Sequence, residues 1–194
     1  MTENRHSAFT TNGVSITGKY AREENDFYET DPRALEELLK YEKFSHNVWE
    51  CACGRGALSE VLIKHGYNVL STDLIDRGYG QGGIDFLDPL YNIIYDGDII
   101  TNPPYALAKE FVEHALDISM DSAKVAMFLK IQFLESKKRY DLFKKYPPKK
   151  IYVFVNRVNC GKNGVFGKES SAVCYAWFIW EKGYTGYPMV DWIS

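Results

Sequence analysis

A strand breaks into a glycine turn at Glu50-Cys51-Ala52-Cys53-Gly54-Arg55-Gly56, and a helical pattern begins immediately after it. Asn47 to Cys51 reads as a short strand. Leu58, Val61, Leu62 and His65 then recur at helical spacing up to Gly66, which is placed to end that helix. A strand that turns through glycines into a helix opens a parallel α/β sheet, because glycine lets the backbone turn tightly and approach a ligand closely. The acid Asp73 follows Gly54 by 19 residues, near the end of a second strand read as Tyr67 to Leu74. A carboxylate at that spacing takes ribose hydroxyls in nucleotide-binding folds.

The remaining pattern extends this unit. Asp31-Pro32 starts an earlier helix, since Asp can cap it and Pro suits its first position, and Leu35, Leu38 and Leu39 form the apolar stripe. Asp98 to Thr101 is a strand that runs into Pro103-Pro104, Ala106 to Ile118 an amphipathic helix, Ala123 to Leu129 a buried strand, and Phe133 to Tyr146 a further helix. Lys150 to Val158 and Ala172 to Glu181 are long strands rich in Val, Ile, Tyr, Phe and Trp, with no helix-sized segment between them. Alternating strands and helices closed by a strand pair predict a doubly wound, mostly parallel α/β sheet with an antiparallel edge strand. Residues 1–25 are polar and aperiodic and read as a flexible arm or a flap; 26–194 read as one domain, the usual size for a single core.

Composition narrows the partners. No apolar run is long enough to span a membrane and the N-terminus lacks a signal-like stretch, so a cytoplasmic location, in a bacterium or a phage-infected host cell, is expected. The four cysteines, Cys51, Cys53, Cys160 and Cys174, form no C-x-x-C pair, and no metal is expected. A net charge of −3 argues against nucleic-acid binding by bulk electrostatics, yet Lys137, Lys138, Arg139, Lys144, Lys145, Lys149 and Lys150 cluster against the single acid Asp141. That cluster is either a solvated helix face and turn or a phosphate-facing surface.

The glycine turn also discriminates between adenosine cofactors. In a G-x-G-x-x-G turn holding a pyrophosphate, the third glycine would stand where this chain has Ser59, and Glu50 beside the turn would repel phosphate. The same carboxylate suits the ammonium and sulfonium charges of S-adenosylmethionine. At these residues the chain resembles the class I S-adenosylmethionine-dependent methyltransferases. The resemblance implies a Rossmann-like, seven-stranded sheet, with the methionine part held around Glu50, Ala52, Gly54 and Gly56 and the ribose at Asp73, beside Leu74. Asp85-Phe86 looks like that family's acid–aromatic pair, which reads the cofactor's adenine. Phe27-Tyr28-Glu29-Thr30-Asp31-Pro32 resembles the Tyr-x-Thr-Pro element that closes over the cofactor, so Tyr28 and Thr30 become candidate contacts. Asp31 interrupts that element here.

Asn102-Pro103-Pro104-Tyr105 lies between a strand and a helix, where open α/β sheets place ligands. An aromatic amine is a poor nucleophile, because its lone pair is delocalised into the ring. Two acceptors on its hydrogens, the Asn102 side-chain oxygen and the Pro103 carbonyl, would favour the pyramidal form, while Pro104 stiffens the turn and Tyr105 offers a stacking face. The tetrapeptide resembles that of amino-methyltransferases, especially DNA N-6 adenine methyltransferases, over roughly Phe27 to Glu181. The closing strands most resemble small phage or prophage examples. The resemblance implies adenine in DNA as substrate. Transfer to RNA adenine or protein glutamine by the same motif, a non-catalytic binding module, and a dehydrogenase stay open. A base inside a duplex must be flipped out, and Arg157, Lys162 and Lys168, on the long connection from Asn156 to Ser171, are candidate phosphate contacts.

Overall fold

The computed structural model describes residues 28–158, 160–162 and 173–194, with only the backbone given at 160–162. The proposed arm at 1–25, Lys168 and most of the long connection carrying it lie outside the described residues. Elements run β1 (Tyr28–Thr30), α1 (Arg33–Tyr41), β2 (Asn47–Glu50), α2 (Ala57–Lys64), β3 (Asn68–Ser71), β4 (Asp98–Thr101), α3 (Ala108–Ile118), β5 (Lys124–Lys130), α4 (Tyr140–Lys145), β6 (Lys150–Phe154), β7 (Cys160–Lys162), β8 (Tyr175–Glu181) and β9 (Met189–Ile193).

A seven-stranded sheet has the order β3-β2-β4-β5-β8-β6-β9. β2 pairs in parallel with β3 and β4, and β4 with β5, whereas β8 is antiparallel to both of its neighbours and β9 is parallel to β6. The doubly wound, mostly parallel sheet expected from the sequence is therefore present. Its antiparallel strand lies inside the edge, between β5 and β6. The reason is burial on both faces: Trp177, Phe178 and Trp180 in β8 are almost wholly enclosed, which an outermost strand does not permit. The outer position falls instead to β9, a strand the sequence pattern did not signal because Met189, Val190 and Trp192 are all exposed.

Period-two alternation sorts the strand residues onto two cores. Trp49, Ile99, Val125, Met127, Phe178 and Trp180 pack with α3 on one face. Val48, Ile100, Ala126, Phe128, Trp177 and Ile179 pack with α1 and α2 on the other. Helices cover both faces, which is why these strands read as continuous apolar runs. Asp98, at the start of β4, accepts backbone N–H groups from Ser45 and Lys124, both at 2.7 Å, and so ties the strand starts together.

Local chemistry sets most of the boundaries. Asp31 Oδ1 accepts from the Arg33 N–H at 3.0 Å, the capping interaction expected of an Asp before a Pro. Gly66, at φ 86, carries the chain out of α2 in the left-handed conformation. The helix expected over Phe133 to Tyr146 is broken into short 3-10 turns at Ile131–Leu134 and Lys137–Arg139 followed by α4. The break is at Ser136, with φ 130, and the Arg139 guanidinium satisfies the carbonyls of Gln132, Phe133 and Glu135 that a continuing helix would have used.

Candidate active site

Strand order reverses between β3 and β4, which flank β2. A parallel sheet opens a crevice at such a point, beyond the carboxyl ends of its strands. A cavity of about 490 Å³ sits there, in the range of small-molecule sites. Residues following β2, β3 and β4, among them Ala52, Asp73 and Asn102, all reach it, as do Lys130 at the end of β5, Tyr28 and Thr30 of β1, and Asp85 and Phe86. The fold thus brings residues from Tyr28 to Lys130 around one space.

The glycine turn builds the floor. Gly54 and Gly56 have φ 57 and 89, left-handed values that favour glycine. A Cβ at Gly56 would stand 2.5 Å from the Tyr79 ring. Gly56→Ala is accordingly expected to cost at least ~1–2 kcal/mol of stability from the backbone alone. Thermal unfolding checks this, with a drop of several degrees expected.

Beneath the turn, Glu50 is 2% exposed and its Oε2 accepts from the Ser59 hydroxyl, which lies 2.6 Å from the Ser71 hydroxyl. Burial pushes the Glu50 carboxyl up to about 8; the Ser59 hydrogen bond opposes this and the Asp73 charge adds to it. Ser59, read from sequence only as a missing third glycine, thus holds the carboxylate that lines the cavity. The Asp73 carboxylate accepts the N–H groups of Gly54 at 2.7 Å and Ile75 at 2.8 Å. With roughly four lone-pair sites on a carboxylate, acceptor capacity is left for hydroxyls in the cavity. A buried acid on the floor, poised to ionise when a cation meets it, a second acid at the strand end and a turn bent tightly by two left-handed glycines fit the cationic methionine end and the ribose of S-adenosylmethionine.

Asp85 also lines the cavity, and its Oδ1 accepts from the Leu87 N–H at 3.0 Å. Phe86 is 1% exposed and packs among Trp49, Phe111 and His114, so it forms wall and core together. Leu74, 53% exposed, stands at the rim. Arg55, Arg77, Cys53 and Lys130 also line the cavity and were not singled out from sequence. Arg55 had a signal, lying between the two glycines. Arg77 had none, since only the folding back of the loop after β3 places it there. Burial pushes the Cys53 thiol up to about 12 and raises that of Cys51, which keeps both protonated and disfavours them as nucleophiles.

The wall that follows β4 is organised by Asn102. Its Nδ2 donates to the Tyr28 carbonyl at 3.0 Å and to the Thr30 hydroxyl at 2.8 Å, which commits both amide hydrogens and fixes the side-chain orientation. The Asn102 Oδ1 is buried and has no hydrogen-bond partner among the described residues. Pro103, Pro104 and Tyr105 follow along the same wall. The Tyr105 ring lies 6.2 Å from Tyr28 and 6.1 Å from Tyr175, with the Lys130 ammonium 4.9 Å from its centroid. Replacing Thr30 by Val leaves an Asn102 N–H unpaired, at a cost of about 1–3 kcal/mol. Thr30→Val is expected to lower kcat by about tenfold or more and Thr30→Ser to restore it; equal rates for the two would remove Thr30 from this role.

The candidate phosphate contacts are less gathered. Arg157 donates to the Cys174 sulfur at 3.1 Å, and Lys162 lies on β7, which pairs antiparallel with β1. Lys149 and Lys150 form ion pairs with Glu181 and Glu42.

No family model matches the chain, and no curated protein sequence matches it. Solved structures do. A candidate RNA methyltransferase from Pyrococcus horikoshii is similar with a TM-score of 0.51 and 14% identity, over 75% of this chain and 77% of that one. A candidate class I S-adenosylmethionine-dependent methyltransferase from Listeria monocytogenes gives 0.53 and 14%, over 84% and 62%. The modification subunit of a candidate type I restriction enzyme from Vibrio vulnificus gives 0.57 and 14%, over 89% and 48%. The chain shares the doubly wound, Rossmann-like fold of these structures. At such identities the likeness concerns architecture, and the chain spans less than two thirds of the second structure and less than half of the third. Among the described residues no helix is long and apolar enough to cross a membrane.

Proposed function

We propose that this protein transfers a methyl group from S-adenosylmethionine to the exocyclic amine of adenine in DNA. The observation that carries the reading is the buried Asn102 Oδ1, an acceptor without a partner among the described residues, on an amide whose two hydrogens are already committed. A buried acceptor is seldom left unpaired without a reason. An incoming amine N–H supplies the missing donor.

When bound, S-adenosylmethionine supplies a methyl group on a positively charged sulfur. The chain's own residues do the rest. Glu50 and Asp73 would hold the cofactor's cationic and ribose ends, in the same cavity that Asn102 lines. Asn102 Oδ1 accepts one amine hydrogen, with the Pro103 carbonyl as the second acceptor, and draws the nitrogen lone pair out of conjugation. Tyr105, fixed between Tyr28 and Tyr175, supports the plane of the base. In-line placement then suffices with no covalent enzyme intermediate, and the methylated nitrogen returns to neutral by releasing one of its protons to solvent.

The direct test is product analysis. The protein is incubated with methyl-labelled cofactor and adenine-containing DNA, RNA and glutamine-bearing protein, and each product is digested to monomers. Label in N-6-methyladenine from DNA is the expected result. Label confined to RNA adenine or to glutamine would keep the chemistry and replace the substrate, and label in none of them would overturn the reading.

A further inference from the structure

Structure divides the basic cluster at Lys137 to Lys150 in two. Arg139 is spent on backbone carbonyls, and Lys149 and Lys150 on Glu181 and Glu42. Lys137 and Lys144, by contrast, line a second groove of about 790 Å³ between the 3-10 turns with α4 and the turn that precedes β9. Tyr140, 60% exposed, and Tyr187, 91% exposed, share that groove, and the Lys144 ammonium lies 5.5 Å from the Tyr140 centroid. Among the described residues no Asp or Glu lines it.

We infer that this groove binds a distal single-stranded segment of the polynucleotide whose base is held at Asn102, a proposal that rests on the substrate reading above. Exposed aromatic faces interleaved with lysines suit stacked bases and their phosphates, and a duplex conceals the base faces such a surface engages. An overall charge of −3 makes a local groove free of acids the more selective for phosphate. Pro147, Pro148 and Tyr187 stand at the amino ends of β6 and β9, the sheet edge opposite the main cavity, so only a long strand engages both sites.

The test uses the full chain and a triple variant, Lys137→Gln, Lys144→Gln and Tyr187→Ala. All three side chains are exposed, and unchanged cofactor binding verifies the fold. Binding of an oligothymidylate of about a dozen nucleotides is read by anisotropy at several salt concentrations. The variant is expected to bind about tenfold or more weakly, with a salt slope smaller by about 1.4 for the two lost phosphate contacts. KM for adenine in a long single strand should rise while KM for a dinucleotide stays constant. Unchanged affinity and slope, no binding by the wild type, or equal competition from polyglutamate each overturns the groove assignment. Binding lost in the variant while the wild type methylates no base leaves the groove standing and removes the substrate reading instead.

Discussion

Asn102→Ala is expected to reduce methyl transfer by about 10²–10³-fold, the loss typical when one preorganised hydrogen-bonding group is removed from a reacting centre. Cofactor affinity should fall far less, by about tenfold at most, because the methionine and ribose ends are assigned to the glycine turn and the ends of β2 and β3, and only Tyr28 and Thr30 lose a partner. Asn102→Asp should be nearly as damaging. A carboxylate cannot donate to the Tyr28 carbonyl, which now receives an amide hydrogen at 3.0 Å, and would face it with like partial charge. Single-turnover rates with calorimetric cofactor binding separate the two quantities. Normal turnover in Asn102→Ala would end the amine-activation mechanism, whatever the product proves to be.

Cofactor affinity is expected to rise with pH by up to about tenfold per unit below about 8 and then to level off, because Glu50 must ionise to meet a cation. The folded protein keeps the Glu50 proton up to about 8, whereas the ordinary value is 4.5. Between those limits the folded state holds a proton that the unfolded state has lost, so Glu50 makes stability without cofactor fall as pH rises. Below the lower limit both states are protonated and the contribution is constant. Burial is the main cause, and the Ser59 hydroxyl only partly offsets it. Glu50→Gln removes the titration while keeping the shape. It should flatten the Glu50 part of both pH profiles, raise unliganded stability near pH 8 and weaken cofactor binding. Calorimetry at pH 7 in buffers of different ionisation enthalpy reads the released protons directly; the cofactor's own amine contributes equally to both proteins and cancels in the difference. A wild type that releases no more protons than Glu50→Gln would show that Glu50 is not the counter-ion.

Local pattern made some of this legible. Strands β2, β4, β5 and β8 are apolar enough to be read directly, since burial on both faces leaves no room for polar alternation. The glycine turn, Asp73 and the Asn102 to Tyr105 tetrapeptide each carry their constraint within a few residues. Other features carry none. β9 is exposed along all but its last residue, and it is a strand only because β6 offers a free edge. The helix expected from Phe133 to Tyr146 has a suitable apolar period, but the Arg139 guanidinium competes for the carbonyls that a helix needs.

Side-chain pairing across the fold was equally hidden. Ser59 lies nine residues from Glu50, and Thr30 lies 72 residues from Asn102, yet each fixes its partner's side chain by a hydrogen bond. Residue order alone determined the alternation of strands and helices, the placing of the glycine turn and the presence of an amide before two prolines, because these depend on local backbone preference and on periodic burial. Only the assembled sheet decided which oxygen of that amide was left without a donor, how far burial would raise a carboxyl, and which lysines remained for a groove. Those outcomes depend on distances between segments far apart in the chain, which no short stretch of sequence encodes.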